Sequence, residues 1–397
     1  MTSVLEGVRI IDAGTVLAVP AMTGILADFG ADVVKIEHPT AGDPGRRYPP
    51  HSAEGQCLTS KVTNRNKRFL GLDLSRPEGR EVLLDLVAGA DAITLNYRLS
   101  TLRKWGIDYE DLSRVNPGIV VLHMTGFGRT GPYADRPAFS RIVEAYSGLT
   151  YATGDRDGRP MPAGAPIADH VAGVYGALSL MLALFHQRTT GRGQLIDLSL
   201  AESLIRVLDG YYVGYVETGY VPERSGTANP VIAPHDTYEF ADGVWVQLPC
   251  STQNMFERLC SILDLGHLVD DSRFRTNAER VAHRESLDGE LVPRFAAMSS
   301  ERFLALADEA GIAAARVNSA ADLLGDEHAV ARGILEEVYD ENLGRLLQMQ
   351  AVVPRLSVSP GAIRWPGREM GQDTDTLLAG LGYDAERIRA LRDSGVV

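Results

Sequence analysis

Residues 164–176, Gly-Ala-Pro-Ile-Ala-Asp-His-Val-Ala-Gly-Val-Tyr-Gly, hold one carboxylate at a change of backbone pattern. Pro166 disfavours helix at the residue before it, so the chain enters extended. Beyond Asp169, the residues Val171, Val174, Tyr175, Leu178, Leu180, Met181, Leu182, Leu184 and Phe185 form an apolar run long enough for a helix. The run is too short and too glycine-spotted for a membrane span and is apolar on most faces, so a buried core helix is expected. A carboxylate at the mouth of such a helix can serve as an N-cap, although Ala172 at the N3 position would give no capping box. It can also serve as a nucleophile, because a free Asp titrates at about 4 and is ionised at neutral pH without a base.

Other chemistries find less support. Gly126-Phe-Gly128-Arg-Thr-Gly131 matches the dinucleotide fingerprint, and Glu144 could pass for its downstream acid. The fingerprint needs a helix beginning inside the loop, and Pro132 and Pro137 interrupt that span. The nine histidines include no His-Glu-x-x-His, and Cys57, Cys250 and Cys260 form neither a metal spacing nor an even disulfide framework, so no metal is expected. His123 reads as a satisfied core histidine within a strand. A net charge of −13 argues against nucleic acid or an anionic membrane surface as partner. The start of the chain shows no basic-then-apolar export pattern, and a reduced cytoplasm is the expected location.

The elements that would position Asp169 read as α/β. Val8–Asp12 and Asp32–Glu37 are strands flanking a helix over Ala21–Phe29, one right-handed βαβ unit. Strands are expected over Phe69–Leu74, Ala92–Leu95, Ile119–Met124 and Leu195–Ser199, with helices over Pro77–Ala88 and from Ala201 to about Gly219. This is a large domain with an open, mostly parallel, Rossmann-like sheet, whose ligands belong outside the strand carboxyl ends. Arg46, Arg47, Arg65, Lys67, Arg68, Arg98, Arg103 and Lys104 recur near those ends, which suggests a phosphorylated ligand. The domain division expected is 1–200 for the first part of the large domain and 201–234 for a connecting helix and linker. A smaller α+β domain then spans 235–325, and 326–397 returns to complete the large one.

As a set, these residues resemble the family III CoA-transferases, the group that includes formyl-CoA and carnitine CoA-transferases. The likeness runs through Leu5–Asp12, Leu26–Glu37, Asn66-Lys-Arg68, Thr125–Gly128 with Gly131-Pro-Tyr133, Gly191–Gln194 with Asp197–Leu200, Asp242-Gly243 and Gly382-Tyr383. It implies that Asp169 is the catalytic residue, forming a covalent aspartyl intermediate. It further implies CoA along Val16, Leu17, Ala18, Leu72, Ser75, Asn96, Tyr97, Arg98 and Lys104, with Ala138 and Phe139 near the acyl end. No permanently bound cofactor is implied; acyl-CoA and a carboxylic acid are the substrates, and a second copy of the chain is the partner in an interlocked homodimer. Leu17 stands where formyl-CoA transferases carry glutamine, and Ser225–Asn229 lacks their glycine run, which argues against oxalate or formate.

Two rivals remain at this level. An α-methylacyl-CoA racemase of the same fold needs an acid and a base on opposite faces of the substrate. Ala138-Phe-Ser-Arg141 offers no histidine for that role, and one helical step of about 100° is expected to turn His170 away from Asp169. A non-catalytic CoA-binding protein would need the basic strand ends but not Asp169.

Overall fold

The computed structural model describes residues 3–397; Met1 and Thr2, at the head of the N-terminal segment considered above, lie outside it. The chain divides into two compact units, one of residues 1–149, 162–220 and 333–397, the other of 150–161 and 221–332. Thr150–Met161 thus groups with the second unit, whereas the expected division kept it in the first.

The first unit is built on six parallel strands in the order β3-β2-β1-β4-β5-β6. These are β1 (Arg9–Ala13), β2 (Asp32–Glu37), β3 (Arg68–Gly71), β4 (Ala92–Leu95), β5 (Val120–Thr125) and β6 (Leu195–Ser199). Parallel pairing buries both faces, which is why Val33, Ile36, Leu70, Ile93 and Val121 sit in near-continuous apolar runs. Helices α1 (Ala18–Asp28), α2 (Leu58–Thr63), α3 (Pro77–Ala88), α4 (Leu99–Trp105), α5 (Tyr109–Val115), α6 (Ser140–Tyr146), α7 (Leu149–Ala152) and α8 (Ile167–Thr190) come between the strands. Helix α1 begins three residues before the expected Ala21, placing Pro20 in the first turn, where its missing N–H costs no bond.

Helix α8 corrects two expectations. Its 24 residues are long and apolar enough, by length and composition, to cross a membrane. It is also buried on one face only. Ala168, Ala172, Gly173, Gly176, Ala177, Leu180, Ala183 and Leu184 are covered, and a Cβ on Gly176 would stand 2.5 Å from Met22 Sδ of α1 and 3.0 Å from Met124 Cε of β5. Small residues therefore let α8 lie close against the sheet layer, while Val174, Leu178, Leu182 and Phe185 form an exposed apolar stripe. The single helix expected from Ala201 to Gly219 is two, α9 (Leu200–Val207) and α10 (Asp209–Thr218). They part at Leu208, whose ψ of 52° is not helical, just before the helix-weakening Asp209-Gly210 pair.

The second unit carries an antiparallel sheet, β7 (His235–Glu239), β8 (Trp245–Pro249) and β9 (Ala315–Arg316), with the first two joined through the expected Asp242-Gly243 turn. Gly243 adopts φ +72°, which that turn requires. Its core is aromatic: Tyr238, Phe240 and Phe303 surround Phe295 at ring separations of 4.7, 5.1 and 5.2 Å. After it, the antiparallel pair β10 (Leu335–Asp340) and β11 (Arg345–Gln350) and two helices over Thr374–Gly380 and Ala385–Asp393 belong again to the first unit.

Candidate active site

Asp169 is the third residue of α8 rather than its cap; Pro166 holds the N-cap position and offers no side-chain bond. Burial, and after it the like charge of Glu144, lift the Asp169 carboxyl to about 6. That overrides the pull of the helix dipole, which favours an anion there. The carboxyl is still ionised at neutral pH, with a value well above that of the free side chain. Glu144, from α6, is fully buried. Its Oε1 accepts from Ser140 Oγ at 2.8 Å, and Ser140 Oγ accepts the amide of Ala168 at 3.2 Å. Its Oε2 has no hydrogen-bond partner. The Ile167 and His170 amides are taken by Ala165 O and Pro166 O, which leaves the Asp169 amide as the first-turn donor without an acceptor among the described residues.

Two cavities meet at Asp169. The first, of about 370 Å³, lies at the strand carboxyl ends, lined by Thr15–Ala18 after β1, Asn96 and Arg98 after β4, Met124–Gly126 closing β5, and Arg136–Phe139. The second, of about 540 Å³, shares Val16, Leu17, Tyr48, Phe139 and Asp169 with the first. Its remaining walls come from α2, the Asp43–Pro49 segment, Ser140, Arg141 and His170. Of the expected residues, Val16, Leu17, Ala18, Asn96, Arg98, Ala138, Phe139 and Asp169 line the first cavity. Leu72 is instead in the core, Ser75 Oγ is spent on Asp73 at 2.6 Å, Tyr97 packs edge-on against Trp105, and Lys104 lies in the last turn of α4. His170 lines the second cavity together with Asp169.

The turn between β1 and α1 is held by buried charge. Val16, a β-branched residue, sits at φ +68°, a conformation costing about 1–3 kcal/mol. Its amide donates to Asp43 at 2.9 Å, and Asp43 also accepts from Gly45 N and pairs with Lys35 at 3.1 Å. Burial works against the charge on Asp43, but Lys35 and the Gly45 and Val16 amides hold it below the usual carboxylate range. Lys35 also donates to Gly14 O. Behind it, Lys67 donates to Asp12, Pro20 O and Asn64, at 2.8, 2.7 and 2.8 Å. Asn96 completes the clamp, with its amide group both accepting from Thr15 N and donating to Thr15 O at 2.9 Å.

The basic bias at the strand ends therefore has a largely structural cause. Arg46, Arg65, Lys67, Arg68 and Arg103 pair with Glu37, Asp28, Asp12, Asp32 and Asp108. Arg47, Arg98 and Lys104 are left without a carboxylate partner among the described residues. His123 is fully buried. Because Arg129 can only donate to its Nδ1, at 2.8 Å, the ring proton lies on Nε2, which donates to Tyr97 O at 2.7 Å. The glycine loop at 126–131 opens no helix; the next begins at Ser140. Gly126 instead allows close approach, since a Cβ there would stand 2.3 Å from Ala138 Cβ. Sequence reasoning missed Tyr48, Asp43, Arg136 and Arg141, and treated Glu144 only as a decoy. The one signal available for Arg141 was its nearness to Ala138 and Phe139.

The sequence model of CoA-transferase family III matches residues 5–374. The chain is 39% identical over 396 residues to the succinyl-CoA:L-malate CoA-transferase beta subunit of Chloroflexus aurantiacus, covering 99% of this chain and 98% of that one. It is 35% identical to the succinate–glutarate CoA-transferase of Agrobacterium fabrum, covering 95% of each chain. The crystal structure of a CaiB/BaiF family protein from Brucella suis superposes with a TM-score of 0.86 at 32% identity, covering 96% of this chain and 100% of that one. With matches of this extent in sequence and in fold, the chain belongs to the family III CoA-transferases.

Proposed function

We propose that this enzyme moves CoA between short dicarboxylic acids through covalent intermediates on Asp169. The observation that carries the reading is the position of Asp169 where two cavities meet. One lies at the strand carboxyl ends, suited to the CoA arm; the other is more apolar and suited to the acid. The dicarboxylic class follows the names of the malate and glutarate transferases to which the chain is similar.

In this mechanism an Asp169 oxygen attacks the thioester carbonyl carbon, and the C–S bond breaks to give a mixed anhydride and CoA thiolate. The thiolate then attacks the Asp169 carbonyl carbon, releasing the first acid as its carboxylate and leaving an aspartyl-CoA thioester. The acceptor carboxylate attacks that thioester, expelling thiolate and forming a second anhydride. The thiolate attacks the acceptor's acyl carbon, producing the new acyl-CoA and restoring the Asp169 carboxylate. No proton is consumed or released. The spare Asp169 amide is a donor available to a developing oxyanion. A racemase would need its acid and base on opposite faces of the α-carbon, whereas Asp169 and His170 are neighbours in the first turn of one helix.

The active form is an interlocked homodimer, as the family resemblance implies. What supports a second copy here is the α8 stripe, whose Val174, Leu178, Leu182 and Phe185 are 60, 53, 64 and 72% exposed on one helix face. Incubation with succinyl-CoA and hydroxylamine, followed by peptide mass spectrometry, tests the covalent step. A hydroxamate on Asp169 together with loss of exchange is the expected result. Full exchange by D169A would overturn it.

A further inference from the structure

Resting on the transfer reaction just proposed, the second cavity poses a question of its own. It is mainly apolar, and most of the polar groups around it are already committed. Arg46 is held by both carboxylate oxygens of Glu37 and by Arg368 O. Asp43 is held by Lys35 and two amides. Thr63 donates to Thr59 O within α2, and Asn64 is held by Ser60 and Lys67. Partial burial lowers the affinity of the His170 ring for a proton, which disfavours it as a cationic partner.

Arg141 is different. It projects from the first turn of α6, two residues beyond Phe139, and lines the same cavity as Asp169. It has no ion pair or hydrogen bond among the described residues and is exposed to solvent. Arg98 and Arg136 also lack a carboxylate partner, but they line the cavity at the strand ends, where the CoA arm is placed above. An apolar cavity bounded by a reactive carboxylate and by one uncommitted guanidinium fits an acid with a carboxyl at each end of a short aliphatic spacer. One end reacts at Asp169; the other makes paired, charge-assisted hydrogen bonds to the guanidinium.

We propose that Arg141 is the specificity-determining residue that anchors the distal carboxylate of a dicarboxylic substrate while its proximal carboxyl exchanges CoA on Asp169. The test compares the full-length wild type with R141Q and R141K, using succinyl-CoA as donor and either glutarate or valerate as acceptor. For R141Q, the ratio of glutarate to valerate kcat/KM is expected to fall roughly tenfold to a hundredfold, mainly through KM for glutarate. R141K should recover part of the ratio, because charge remains but the bidentate geometry does not. An unchanged ratio in R141Q, or an equal loss with both acceptors, overturns the anchor while leaving the transfer reaction standing. A wild type that exchanges CoA with neither acid overturns the proposed function, and the anchor with it.

Discussion

The carboxylate of Glu144 lies close enough to that of Asp169 to repel its charge, and no hydrogen bond quenches the outer oxygen of Glu144. In the proposed mechanism, acylation of Asp169 removes that repulsion, since anhydride and thioester are both neutral. On that proposal the pair favours the covalent forms over the free carboxylate. With Asp169 titrating at about 6, kcat/KM is expected to fall about tenfold per pH unit below that value. In E144Q the acid limb should move to lower pH yet remain above 4, because burial, the larger cause, persists. A pH–rate profile of E144Q that superposes on the wild type would sink this account.

Asp169 is also a stability liability. Its folded value of about 6 exceeds the unfolded value of about 4, so between these the native state binds more protons than the unfolded chain. Stability therefore falls as pH rises from 4 to 6, and the cost stands in full at pH 7. D169N should be more stable than wild type by about 1–2 kcal/mol at pH 7, a Tm rise of a few degrees, with the gap closing at pH 4. Exchange should fall by a factor of about a thousand or more. Calorimetry at both pH values, beside an exchange assay, reads all three.

D43N removes the charge that binds Lys35 and weakens the acceptor that holds Val16 at positive φ. A loss of about 1.5–3 kcal/mol is expected at neutral pH, together with a raised KM for acyl-CoA as the cavity's turn relaxes. The Asp43 carboxyl is depressed, so its contribution is complete above about pH 4 and is lost as pH falls through its folded value. Urea titrations of wild type and D43N should therefore converge at acid pH. Equal stability at pH 7 would show the clamp to be idle.

The α8 stripe gives a fourth prediction. L178E and F185E place charge on residues that the fold of one chain leaves bare. If a second copy covers them, each variant should shift the species seen by light scattering towards the monomer and lower activity by about tenfold or more. Dimers of wild-type strength in both variants would mean that another surface carries the association.

Much of the architecture was legible from periodicity. Strands β2, β4 and β6 and helix α3 fall where pattern places them. For β4, buried throughout, the reason is that a parallel strand covered on both faces is written as an apolar run, whereas β6 is an edge strand with only Ser199 buried. Asp169 was legible for a local reason too, since Pro166 and the apolar run mark a helix entrance. Composition misled on the arginines and lysines near the strand ends. Sequence counts charges but cannot show that Asp28, Asp12 and Glu37 lie within reach of Arg65, Lys67 and Arg46, partners 9 to 55 residues away.

Sequence by itself determined the α/β class, the place of Asp169 at a helix mouth and the likeness to CoA-transferases, since each rests on short-range pattern or on motif order. Only the tertiary structure decided that Glu144 stands against Asp169, that Val16 is clamped by Asp43, that α8 keeps an apolar face bare and that Arg141 opens on the second cavity. Those relations depend on which side chains meet when α6, α8 and the β1–α1 turn pack together, and a spacing along the chain carries no record of such meetings.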